Sequence, residues 1–92
     1  MPMNVYRITG CEKISVSATA KDVAVDYRSF LLENPDSSVT VYFKEKEGKA
    51  VTAATGFALP PGQVLPVVLT GKTLSVLGSG SGELRLLYVD GD

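Results

Sequence analysis

The chain has 92 residues, 45% hydrophobic and 21% charged, with nine Lys plus Arg against ten Asp plus Glu, no His, and a net formal charge of −1. One domain, 1–92, fits that length, and it can bury about 64% of its unfolded surface, so the chain is far from the disordered regime. Balanced charge excludes the clustered cationic face that nucleic acid requires, and the lack of His removes the commonest acid–base group and a common zinc ligand.

The opening MPMNVYRITG lacks the charged and apolar regions of a secretion signal. Asn4–Thr9 is expected to form a weak strand. Cys11 is the single cysteine; it can form no internal disulfide, it suits a reducing compartment, and its expected place is the core. Lys13–Ala20 alternates, placing Ile14, Val16, Ala18 and Ala20 on one face and Ser15, Ser17 and Thr19 on the other, the period of a half-buried strand.

Lys21–Asn34 supports two readings. Val23, Tyr27, Phe30 and Leu31 fall at helical spacing, with Thr19 or Asp22 as a cap. Val23, Val25 and Tyr27 also alternate, and the uniformly β surroundings favour two strands or one bent strand. Asn34–Ser37 is a turn. Ser38–Lys44 is a strand with Val39, Val41 and Phe43 inward, and KEKEGK supplies Gly48 for a turn, predicting a hairpin whose second arm is Lys49–Ala54. Phe57 and Leu59 then lead into Pro60-Pro61-Gly62, where pairing must stop because proline has no N–H.

Val64–Thr70 reads as a strand interrupted by Pro66, hence an edge strand. No apolar run is long enough to cross a bilayer. Thr73–Leu77 places Leu74 and Val76 inward, and GSGSG (78–82) reads as a flexible hairpin loop, without the companion residues of a phosphate-binding loop. Glu83–Val89 carries Leu84, Leu86 and Tyr88 on one face and Leu87 and Val89 with Arg85 on the other, a central strand or a subunit interface. About eight short strands at intervals of roughly ten residues predict an all-β fold, a small antiparallel β-sandwich of jelly-roll type.

Tyr27, Phe30 and Phe43 alternate into the core, whereas Tyr42 points away from it. Tyr6, Tyr42, Leu87 and Val89 are therefore the candidate interface residues, an exposed tyrosine also being able to stack on a sugar ring. No calcium-loop spacing occurs among the acidic residues, and no Ser, Lys and Asp order suggests a nucleophile and its base. The expectation is a protein that is not an enzyme, with no cofactor, no metal, no nucleic-acid partner and no membrane partner.

Three segments, FLLENPDSSVTVYF (30–43), TGFALPPGQVLPVVL (55–69) and GKTLSVLGSGSGELRLLYV (71–89), resemble a recurring type of small bacteriophage virion accessory protein. The shared pattern is a strand ending in Asn, a strand with an aromatic pair, a Leu-x-Pro-Gly turn and a glycine-rich link before the last strand. The resemblance implies a capsid decoration or cement protein, or the base domain of a head fibre. It implies binding to the major capsid protein or another virion protein as a homo-oligomer, a trimer favoured over a dimer, in a virion assembled in the host cytoplasm, with residues 1–8 as an N-terminal arm that orders on the capsid or a neighbouring copy. The alternatives are a carbohydrate- or surface-protein-binding module and a neck, tail or baseplate connector. No heptads or collagen-like repeat occur, which excludes a fibre stalk from this chain.

Overall fold

The computed structural model describes the backbone of residues 6–91 and the side chains of residues 9–88. Within them the strands run β1 (Tyr6–Val16), β2 (Lys21–Ala24), β3 (Ser29–Glu33), β4 (Val41–Glu45), β5 (Phe57–Leu59), β6 (Val64–Val68), β7 (Thr73–Gly78) and β8 (Gly82–Gly91), with no helix among the described residues. The helical reading of Lys21–Asn34 is thus resolved as two strands, β2 and β3. They stand in different sheets, so the helical spacing of Val23, Tyr27 and Phe30 is a coincidence of a chain crossing between layers.

Two four-stranded sheets form, in the orders β1-β8-β3-β6 and β2-β7-β4-β5, and every strand pair is antiparallel. This is the jelly-roll order: each step along the chain changes sheet, except the local hairpin β4–β5. The glycine-rich link 78–82 therefore turns a corner between sheets, and it is not the free hairpin loop that its composition suggested. Gly78 N–H donates to Ser17 O (2.8 Å) and Ser79 N–H to Thr40 O (2.9 Å). Thr40 N–H returns to Ser79 Oγ (3.0 Å) and Glu83 N–H is held by Asp36 Oδ2 (2.9 Å). A Cβ at Gly82 would lie 2.5 Å from that carboxylate oxygen, so glycine is what permits the approach.

The inner faces interlock through Ile14, Val16, Val23, Val25, Phe30, Leu32, Val41, Phe43, Leu59, Val67, Leu69, Leu74, Val76, Leu84, Leu86 and Tyr88. The alternation of β7 and β8 places Leu74, Val76, Leu84 and Leu86 there, nearly or wholly without solvent contact, and β8 is central, between β1 and β3. Burying each such side chain contributes about 1.5–3 kcal/mol, which is why period-2 patterning fixes the register.

Four expectations need correction. Cys11 is exposed, because it stands opposite Leu87 on the outer face of its sheet with Lys13 opposite Arg85 beside it. Tyr27 is 58% exposed, since β2 has ended at Ala24 and the chain is turning toward β3. The strand expected to reach Ala20 stops at Val16, where a turn closed by Thr19 N–H on Ser17 Oγ (3.2 Å) starts the corner into the other sheet. Lys49–Ala54 is no strand; β4 pairs with β5 instead, Phe43 opposite Phe57. Gly48 does supply the positive φ of 90° expected of the turn.

The displaced segment has its own use. Ser75 points to the outer face of β7 yet is wholly buried, because Val51 lies over it and donates its N–H to Ser75 Oγ at 2.9 Å. A second buried polar group, Asn34, ties β3 to the β4–β5 hairpin: its Nδ2 donates to Val39 O (2.7 Å) and Leu59 O (2.9 Å). Its Oδ1 accepts from Asp36 N–H at 3.2 Å.

Candidate docking surface

β5 and β6 are the edge strands on the same side of the sandwich, one in each sheet. Phe57 stands opposite Phe43, and Leu65 opposite Leu32, so both point toward the inner layer. Neither is covered: Phe57 is 70% and Leu65 39% exposed. The sheets leave a gap of about 310 Å³ there, walled by Phe43, Phe57, Leu65, Val67, Leu69 and Leu74. It is the side on which the sandwich stays open.

The other face of β6 is apolar as well. Val64 and Val68 alternate with Leu65 and Val67, and Val68 is 79% exposed. Pro66 stands opposite Leu31, Leu31 opposite Leu87, and Leu87 opposite Cys11. An uncharged row thus crosses the whole outer face of the sheet, from β6 to β1. The neighbouring row is charged: Lys13, Arg85 and Glu33 stand side by side. Arg85 contacts Glu83 at 2.7 Å and Glu33 at 3.7 Å. Of the large hydrophobic residues that are exposed among the described ones, Phe57, Val64, Leu65 and Val68 lie on β5 and β6, and only Tyr27 lies elsewhere.

A polar clamp holds the end of this edge. Glu45, at the end of β4, accepts from Thr70 N–H (2.9 Å), Thr70 Oγ1–H (2.7 Å) and Gly71 N–H (2.6 Å). The Thr70 amide first, then its hydroxyl and the Gly71 amide, hold the Glu45 carboxyl below its ordinary value of 4.5. The chain leaving β6 is therefore tied to the opposite sheet at this end of the gap.

The residues singled out from the sequence divide between faces. Leu87 is half-buried in the uncharged row of one sheet, while Tyr42 is half-buried on the other sheet, opposite Leu77 and Ala58. The two do not share a surface. Tyr6 and Val89 are strand residues of β1 and β8, opposite Gly91 and Ile8, and their side chains fall outside the described residues. The two apolar residues with the highest fractional exposure, Phe57 and Val68, escape the sequence reading. For Val68 a signal exists: Val64–Val68 is apolar at both parities, and Pro66 marks it as an edge, so one face has to be left uncovered; Phe57, on β5, has no such signal.

Among the described residues no group of His, Cys, Asp and Glu is arranged to hold a metal ion, and no helix is long and apolar enough to cross a membrane. Comparisons with protein-family models, with curated proteins and with solved structures returned no match.

Proposed function

We propose that this chain is a non-enzymatic structural protein of a bacteriophage virion, a decoration or cement protein that self-associates and reinforces the capsid. The observation that carries the reading is the open β5–β6 edge, with Phe57 and Val68 among the most exposed apolar side chains. Contiguous apolar surface of this kind is uncommon on monomers and marks association. A second copy is the first occupant: covering Phe57, Val64, Leu65 and Val68 removes the apolar surface that one copy leaves in water. The outer row through Leu31 and Leu87 then remains for the major capsid protein or another virion protein. The near-zero charge lets many copies pack closely, and a rigid sandwich without reactive groups suffices for cementing a joint. The jelly-roll order is common in virion proteins, an analogy of fold alone.

Light scattering on the purified protein at micromolar concentration tests the self-association. The expected mass is three times 9.7 kDa, falling to one chain in Phe57→Ser/Val68→Asp with the far-ultraviolet spectrum unchanged. Co-sedimentation with capsid shells of the phage that carries the gene tests the docking, and Leu87→Glu is expected to abolish it. A monomeric wild type that also fails to sediment with shells overturns the proposal.

A further inference from the structure

A second concave surface lies away from the β5–β6 edge. β1 is bulged between Ile8 and Gly10, where its pairing with β8 slips by one residue. Beside that bulge a cleft of about 420 Å³ opens between β1 and the β2–β3 turn, walled by Thr9, Glu12, Asp26, Tyr27 and Tyr88 among others. Its volume falls within the ~300–1,000 Å³ typical of ligand sites.

The cleft offers one exposed aromatic face with acceptors beside it. Tyr27 is 58% exposed, and its ring packs on one neighbour: it meets Tyr88 in a T-shaped pair, centroids 5.1 Å apart at 68°. Tyr88 is itself edge-packed on the core residue Phe30 at 6.4 Å. The Tyr88 hydroxyl donates to Glu12 Oε1 at 2.9 Å and accepts from the Asp26 backbone N–H at 3.4 Å, which holds the Glu12 carboxylate and the backbone that carries Asp26 at the cleft. Burial above all, together with Glu12, pushes the Tyr88 phenol up to about 12, so it stays protonated and keeps that hydrogen bond at any physiological pH.

We propose that this cleft binds a saccharide, stacking the apolar face of a pyranose on Tyr27 and hydrogen-bonding its hydroxyls to the carboxylates of Glu12 and Asp26. A carboxylate accepts from two neighbouring hydroxyls, as vicinal sugar hydroxyls require, and a tyrosine ring with two side-chain torsions and one packed neighbour binds the C–H face at little cost in side-chain entropy. A basic side chain is the competing occupant. It is disfavoured because a cation is best held between several ring faces, whereas Tyr88 is 6% exposed and Tyr27 is the one exposed ring among the residues that wall this cleft. The site is separate from the apolar edge and does not depend on the assembly reading.

The test is titration of isotope-labelled protein with methyl pyranosides of glucose, galactose, mannose and N-acetylglucosamine, and with a Lys- and Arg-containing peptide, followed by amide chemical shifts. The expected result is saturable millimolar binding of at least one pyranoside, with shifts confined to Thr9–Glu12 and Asp26–Tyr27. Tyr27→Ala is expected to weaken it by about tenfold or more, and Asp26→Asn to weaken it with the fold unchanged. No saturable shift with any sugar, equal binding by Tyr27→Ala, or saturation by the peptide alone overturns the proposal. Phe57→Ser/Val68→Asp is expected to bind the sugar like the wild type, so loss of assembly and loss of this site read out separately.

Discussion

Single side chains hold the corners of this fold. Asn34 is wholly buried and serves the Val39 and Leu59 carbonyls at once, so Asn34→Ala orphans buried acceptors and is expected to cost about 2–3 kcal/mol. Urea unfolding checks this, and a change under about 0.5 kcal/mol would contradict it. Glu45 sets a pH dependence. Its folded value is lowered by the Thr70 and Gly71 donors, so its contribution is present above the ordinary glutamate value and is lost as pH falls through the folded one. Glu45→Gln is therefore expected to melt below wild type at pH 7 and to converge with it in strong acid; an equal gap at both pH values would rule out the charge as the cause. Tyr88 has the opposite sign. Its raised value gives stability that is complete below about 10 and lost as pH rises toward about 12, and Tyr88→Phe is expected to flatten that alkaline limb in thermal melts.

Among the elements, β6 is where stability and association conflict. Pro66 is tolerated because β6 pairs on one side only, with β3, and its missing N–H breaks the free edge as a template for further strands. Pro66→Val is expected to convert a defined oligomer into polydisperse aggregate by light scattering; an unchanged mass would show that the edge is protected by other means. The alternation that exposed this strand also made most elements legible. β4, β7 and β8 could be read because one parity was strongly apolar, as with Leu84, Leu86 and Tyr88, whereas β3 stayed ambiguous because Phe30, Leu31 and Leu32 are apolar at both parities. Lys49–Ala54 was misread because a buried valine covering a buried serine, Val51 over Ser75, has no periodic signature. Tyr27 was misplaced because alternation says nothing about where a strand stops. The docking edge was only half legible: Pro66 announced an edge, but which faces stay uncovered depends on how far the two sheets separate.

At the scale of the whole molecule, β4–β5 is the only hairpin between successive strands among the described residues, and every other pairing described there joins distant parts of the chain. Such topologies must close long loops before any contact compensates, so refolding is expected in roughly the millisecond-to-second range. Stopped-flow tyrosine fluorescence measures it without interference, since the chain has no Trp, and complete refolding within about 100 μs would contradict it. The central position of β8, between β1 and β3, has a consequence for biosynthesis. On the ribosome β1 and β3 emerge early but have nothing between them to pair with, and the first sheet lacks its centre until residues 82–91 have cleared the exit tunnel. The nascent chain is thus expected to stay protease-sensitive until then, with its apolar strands in the care of chaperones, and to fold in one step afterwards.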